Sequence, residues 1–440
     1  MSGRTEGGEG LRPSRLSPAG GEEPQPQGSA PFPRPHQVGE RCRAPRGGEG
    51  AEAPCKAALP LRGGSAPAAR SVALFRNDLA NETLCFSAPD EILRANGPSE
   101  FLPALQRAEA FRRAGKWLAG YISYEAGYLL DPSLAPYLPE NRRAPLLCLG
   151  VFEAPSSASR DIPSSGHPPR LFDAKPAWSF EDYRPRFEQL HRHLRLGDCY
   201  QGNLTFPVHA RWEGEPLALF EALTARQPVR YAAFIDLGGP VVLSRSPELF
   251  FEISADGWIE TLPMKGTMPR GKTPAADAAL KEALRTDPKN QAENRMIVDL
   301  LRNDISRISQ VGTLDVPELF HVESYPTVHQ MISRVRAKLL DGLTLADILA
   351  ALFPCGSVTG APKISAMKIL RELETGPRDI YCGAIGWAAP DGRMRFNVAI
   401  RTLSLHPGGE AVFNIGGGVV FDSTAESEYE ECLLKARFAG

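Results

Sequence analysis

Between positions 231 and 262 four apolar runs follow one another with nothing helical between them: 232–236, 241–244, 249–253 and 258–262. Parallel neighbours in a sheet need a crossover of a dozen or more residues, usually a helix, whereas gaps this short only let the chain turn back on itself. The same habit, hairpin-like strands interleaved with long amphipathic helices, continues across 180–437. The pattern predicts an α+β fold of layered antiparallel sheets flanked by helices, and it disfavours a doubly wound parallel sheet.

With 440 residues, 42% of them hydrophobic, the chain is long enough to bury a large core in one or two domains. Its 50 basic and 52 acidic residues nearly cancel, which leaves no field to attract nucleic acid. No run approaches the roughly 18 apolar residues of a spanning helix, and the N-terminus lacks an apolar signal core. The eight cysteines are scattered without a Cys-x-x-Cys pair, as expected of reduced thiols. The expectation is a cytoplasmic protein with neither membrane nor nucleic-acid partners.

Residues 1–70 are different material, with Gly and Pro at 24 positions and almost no aromatic or β-branched side chains. Such a segment cannot offset its own ordering entropy and is read as disordered. An over-extended reading frame is one account of it. A transit peptide, with a plastid location, is another, weakened by seven glutamates. Residues 71–176 form an N-terminal α/β part with strand-like runs at 119–125 and 146–152. A Pro/Ser-rich linker near 154–169 leads to the larger second part, 177–440.

The stretch 263–273 supports two readings. Gly266, four residues, Gly271, Lys272 and Thr273 match a phosphate-cradling P-loop, with a strand-like run before and a helix-like run (275–284) after. Against it, Pro269 removes an N–H that phosphate oxygens would need. A plain Gly/Pro turn between strand and helix is the alternative.

Acidic residues occupy informative places. On a helix at 292–308, Met296, Ile297, Leu300, Leu301 and Ile308 share a stripe that also contains Glu293. A carboxylate there needs a metal ion or an arginine, unless it sits solvated in the helix's first turn. Near the C-terminus a strand carries Gly416, Gly417 and Gly418, which permit close approach of a ligand. A helix follows it, opened by a capping box of Ser423 and Glu426. Glu428, Glu431 and Lys435 share a face of that helix. Two carboxylates at i, i+3 suit a hard cation such as Mg2+ rather than zinc, and an exposed Glu431–Lys435 pair is the plainer alternative. Glu248 opens a strand after Ser246-Pro247. His329 stands beside apolar residues, and Arg401 needs an anionic partner if it points inward.

Taken in order, Ser246-Pro-Glu-Leu, Pro263-Met-Lys-Gly-Thr, the Ala292-Glu-Asn-Arg to Asn-Asp304 run, the setting of His329, Phe353-Pro-Cys-Gly-Ser-Val-Thr-Gly-Ala-Pro-Lys363, the three glycines and Glu428-Tyr-Glu-Glu431 resemble the chorismate-utilising enzymes, over about Ser71 to the C-terminus. The likeness leans to the aminodeoxychorismate synthase branch, which serves p-aminobenzoate and folate synthesis, with anthranilate synthase component I as the alternative and a P-loop nucleotide-binding protein as a distant one. The resemblance implies an anthranilate-synthase-type fold in which Glu293, Glu428 and Glu431 hold Mg2+ against a chorismate carboxylate. It further implies that Arg401 and the Gly416–Gly418 amides recognise carboxylate, that Glu248 is the general acid for the C4 hydroxyl, and that His329 is catalytic. Ser357, Tyr381 and Lys435 would complete the pocket, and Gly266 and Thr267 would turn the backbone tightly at the substrate.

Lys265 is the discriminating position. Anthranilate synthases resemble one another in carrying alanine there, whereas a lysine implies attack by its amine on C2. Isochorismate and salicylate synthases look to have a lysine base where this chain has Gln201, which disfavours water as nucleophile. Departures from the family pattern are Asn290 in place of an acid, Met264 and Met268 around Lys265, and no Leu-Leu-Glu-Ser-type tryptophan pocket. No Gly-x-Cys-x-Gly elbow is present. The resemblance therefore implies a separate glutamine amidotransferase subunit, in a heterodimer, as the source of ammonia.

Overall fold

A computed structural model describes residues 71–156, 168–325 and 328–440. The expectation of disorder for 1–70, and most of the linker, lie outside the described residues.

Two antiparallel sheets dominate. In the nine-stranded sheet the order is Gly360–Ala361, Gln201–Glu213, Glu410–Val419, Thr402–His406, Val241–Ser246, Tyr231–Asp236, Val72–Asn77 and Glu82–Ser87, with Arg170–Pro176 also pairing on Gln201–Glu213. In the ten-stranded sheet it is Met264–Pro269, Val328–Lys338, Trp258–Thr261, Leu249–Ile253, Met394–Val398, Ala384–Ala388, Trp117–Ile122, Leu147–Phe152 and Glu91–Ala95, with Asp315–Ser324 also on Val328–Lys338. The four runs that opened the sequence argument are strands, but they form two hairpins in different sheets. Strands from both 71–176 and 177–440 enter both sheets, so the two parts share one architecture rather than each having its own.

Alternation along the strands explains the layering. Phe86, Tyr121, Phe152, Ile235 and Trp387, drawn from both sheets, pack into one buried cluster between them. The opposite face of the nine-stranded sheet is covered by the helices Phe180–Leu196 and Ala425–Ala436, through Tyr183, Leu190 and Cys432. The opposite face of the ten-stranded sheet is covered by Pro98–Arg113, Pro288–Ser306 and Leu345–Leu352, through Phe101, Ile305 and Leu349. Among the described residues, no helix is long and apolar enough to cross a membrane.

Helix ends differ from expectation in two places that matter. The helix carrying Glu293 begins at Pro288, where Asp287 caps it by accepting from the Asn290 N–H, so Glu293 lies beyond the first turn. Thr424, not Ser423, caps the C-terminal helix by accepting from the Ser427 N–H. Ser423 is thereby left to another task.

Candidate active site

The chain passes from one sheet to the other at Pro247–Glu248, between Val241–Ser246 and Leu249–Ile253, and again at Ala399–Arg401, between Met394–Val398 and Thr402–His406. These passages lie side by side. The Ser246 hydroxyl donates to the Val398 carbonyl (2.6 Å), the Val398 N–H to Glu248 (3.1 Å), and the Arg245 N–H to Arg401 (2.9 Å). Strand ends at such a seam have fewer ladder partners, which frees Glu248 and Arg401 to face a common space. Arg401 adopts φ of 50°, a left-handed conformation unusual for a non-glycine and often found at functional sites.

Glu248 is buried and accepts a hydrogen bond from the Ser357 hydroxyl (2.7 Å). Burial pushes its carboxyl up to about 7, against the opposing pull of Ser357, Lys265, Arg401 and Lys435. A carboxyl poised there can deliver a proton near neutral pH. Arg401 is desolvated, which lowers its pKa, while Glu248 opposes the shift. Its guanidinium makes no hydrogen bond or ion pair among the described residues, as suits a fork awaiting an anion.

Lys265 reaches the same space because its strand bulges. Met264 pairs with Ile332 and Thr267 with Gln330, so three steps on one strand oppose two on the other, and the extra residue falls at Lys265–Gly266. Gly266 takes φ of +83°, and a Cβ there would stand 2.7 Å from the Asn290 Oδ1. The Lys265 amine lies 3.3 Å from where a Cβ on Gly418 would be, and the Gln201 Nε2 3.0 Å from the same point, so glycine at 418 makes room for both. Gln201 is fully buried with neither amide atom partnered, an arrangement that usually costs roughly 1–3 kcal/mol and often marks a ligand position. Although Lys265 as a whole is only part-buried, desolvation of its amine end is the leading influence and lowers its pKa, opposed by Glu293 and Glu248 and reinforced by Lys435.

The phosphate-loop reading of 263–273 fails on this geometry. Thr267, Met268 and Pro269 are paired strand residues, and the Gly271 N–H donates to the Asp277 carboxylate (2.7 Å), which would repel a phosphate. Lys272 is exposed and Thr273 caps the next helix.

Two acids of the last helix, Glu428 and Glu431, stand within electrostatic reach of each other, and Glu293 and Lys265 act on them from a distance. Glu428 lies under the glycine strand, 2.8 Å from where a Cβ on Gly417 would sit, and accepts from Ser423 Oγ (2.6 Å), the task freed by the relocated cap. Burial raises its pKa first, Ser423 opposes, and the charges of Glu431 and Glu293 raise it further. Glu431 pairs with Lys435 at 2.8 Å, and Lys435 also donates to the Gly416 carbonyl (2.9 Å). Among the described residues no three His, Cys, Asp or Glu side chains stand close enough to chelate one ion. Oxygen-only donors that repel one another still have the chemistry of a hard-cation site, and an ion between them would relieve the repulsion. The glycine amides are less free than expected. Gly416, Gly417 and Gly418 pair with Thr205, Leu204 and Asn203, which occupies one edge of the strand and leaves only alternate groups for a ligand.

Two expected members do not join this group through any contact. His329 is buried with both ring nitrogens engaged, by Asp277 (3.0 Å) and Ser324 (2.9 Å), and these hold the Arg270–Asp277 corner that follows the Lys265 strand. The Tyr381 phenol lies among Cys382, Arg378 and Cys432, and the residue lines a separate cavity of about 200 Å3 with Thr402 and Asn414. A larger cavity, about 790 Å3, opens between Phe75, Trp117, Tyr231 and Trp387, and none of the residues expected in the site lines it. The motif residues Asp304 and Lys363 pair with each other (2.7 Å), which joins the Glu293 helix to the Ser357 segment.

The family profile described as chorismate binding enzyme matches residues 72–439. An aminodeoxychorismate synthase component 1 of Salmonella typhimurium is 43% identical over 254 residues, 58% of this chain and 56% of that protein. An anthranilate synthase component 1 of Haloarcula marismortui is 39% identical over 257 residues, 58% and 52% of the two chains. The chain thus spans about half the length of these relatives. In three dimensions it is similar to anthranilate synthase component I from Streptococcus pneumoniae, with a TM-score of 0.63 and 30% identity over 73% of this chain and 80% of that one. The match over nearly all of the described chain, together with an acid, a guanidinium and a lysine converging at the seam between two antiparallel sheets, makes this chain a member of the chorismate binding enzyme family.

Proposed function

We propose that the chain is the synthase component of an aminodeoxychorismate synthase, converting chorismate and ammonia to 4-amino-4-deoxychorismate. The observation that carries this reading is the Lys265 amine, unpaired, desolvated and set against Gly418 within the electrostatic reach of Glu248. A neutral Lys265 amine forms a bond to C2. Both ring double bonds shift, and the C4–O bond breaks with the hydroxyl leaving as water on the proton of Glu248. Ammonia then forms the C4–N bond and the lysine leaves C2. Arg401 faces a carboxylate of the substrate, and Ser357 fixes the orientation of Glu248. Glu293, Glu428 and Glu431 would hold Mg2+, whose charge when bound offsets that of a substrate carboxylate. Incubation with chorismate, ammonium and Mg2+ should yield 4-amino-4-deoxychorismate, and omission of Mg2+ with added chelator should abolish turnover. Anthranilate with pyruvate as products would refute the reading in favour of the anthranilate synthase alternative.

Ammonia from a separate glutamine amidotransferase fits the cysteines. A glutaminase nucleophile must be a thiolate, yet Cys148, Cys199, Cys355, Cys382 and Cys432 are buried and their thiols pushed upward.

Arg401→Lys keeps the charge and removes the fork. It should raise the KM for chorismate by about tenfold, a loss of roughly 1.4 kcal/mol, with a smaller change in kcat. An unchanged KM would remove Arg401 from carboxylate recognition.

A further inference from the structure

Strand alternation puts neighbouring residues of Val328–Lys338 on opposite faces. His329, Met331 and Ser333 point toward the helices: His329 meets Asp277, Met331 packs with Leu284, and Ser333 donates to the Asn294 side chain (2.5 Å). Gln330 points the other way, to the loop that carries Lys265. Its Nε2 donates to the Gly266 carbonyl (2.8 Å), and its Oε1 accepts from the Thr267 hydroxyl (2.8 Å). One primary amide therefore grips the two residues that follow the lysine, on the inserted residue of the bulge, where ladder hydrogen bonds are interrupted.

We propose that Gln330 is a positioning residue that fixes the Lys265–Gly266–Thr267 bulge and thereby aims the Lys265 amine into the site. The inference rests on the reading of Lys265 as the nucleophile. The backbone needs an outside partner here because Gly266, at φ of +83° with Asn290 standing where a Cβ would go, is free to take other conformations. The bulge turns a strand residue into a group aimed at Gly418, and the Gln330 clamp holds that turn. The requirement on residue 330 is one donor and one acceptor at the end of a side chain of suitable length. A neutral imidazole offers both, whereas alanine offers neither and a carboxylate offers no donor for the Gly266 carbonyl.

Three variants test this in the full chain: Gln330→Ala, Gln330→Glu and Gln330→His. Two measurements are made on each: steady-state turnover with chorismate and ammonium, and the rate at which cyanate carbamylates Lys265, read by peptide mass spectrometry with Lys435 as internal reference. Gln330→Ala and Gln330→Glu should lower kcat by about tenfold or more, since small misplacements of a reacting group cost up to about a hundredfold. The KM for chorismate should stay within about twofold, and Lys265 labelling relative to Lys435 should change at least about threefold. Gln330→His should restore both values to within about threefold of the parent. A changed labelling rate with unchanged turnover would uphold the positioning of Lys265 and refute its role as nucleophile. Unchanged Lys265 labelling in Gln330→Ala, or a loss of turnover that His fails to rescue in a variant that melts like the parent, would overturn the proposal.

Discussion

Replacing Lys265 with alanine should lower amination of chorismate by at least about a thousandfold, roughly 4 kcal/mol of barrier. The KM for chorismate should move only a few-fold, because the neighbouring Arg401 and Lys435 keep the site cationic. Lys265→Arg should be as inactive as alanine. A guanidinium does not become a neutral nucleophile, whereas a purely electrostatic task would be rescued by any fixed cation. The distinction rests on the pKa direction seen here: desolvation drives Lys265 toward the uncharged amine even though Glu293 and Glu248 favour the ammonium. Steady-state kinetics of the two variants, with the product identified at each step, decides the matter. Turnover retained in Lys265→Ala would eliminate the covalent step.

The second large effect concerns Glu248 and appears in stability as well as activity. Its carboxyl titrates near 7 in the folded protein against about 4.5 unfolded. Below pH 4.5 the group is protonated in both states and contributes nothing. As the pH rises from 4.5 to 7 the unfolded chain releases the proton first, so the folded state loses stability, by about 3 kcal/mol once the pH exceeds 7. Glutamine is neutral throughout and escapes this penalty. Glu248→Gln should therefore lose turnover while its stability advantage over the parent grows by about 3 kcal/mol between pH 4.5 and pH 8, as measured by urea unfolding at both values. A difference that stays flat with pH would mean that the carboxylate is ionised and fully compensated in the native site. A buried acid that weakens its own fold is an instance of the usual trade between stability and activity.

The elements that obey local rules were legible in the sequence. The strands at 232–236, 241–244, 249–253 and 258–262 reappear within two residues of their expected ends, because alternation and short gaps are properties of neighbouring residues. Their assignment to two sheets was not legible, since the crossing at Pro247–Glu248 has no more turn signal than the hairpins around it. Glu248, Lys265, Arg401, Ser357 and the carboxylates of the last helix were marked by residue type and order; Ser357 touches Glu248, and the others are related through electrostatic reach. His329 shows the opposite. A histidine attracts attention by its chemistry, yet alternation turns it toward Asp277 and presents the less conspicuous Gln330 to the lysine loop. That fact belongs to strand register, which a bulge set by Gly266 decides and which no pattern in 328–338 announces. The Ser423–Glu428 hydrogen bond was hidden behind a plausible capping box one residue out of place.

The twin crossings at Pro247–Glu248 and Ala399–Arg401 give the buried carboxyl and the guanidinium a common origin in the join between the sheets. Their separation is thus set by the backbone hydrogen bonds between the crossings, which the interlayer core reaches at Ala399. Interiors packed this tightly transmit strain over distance. A substitution deep in the interlayer core, touching neither residue, would act on chemistry much as a shim acts on the jaws of a vice.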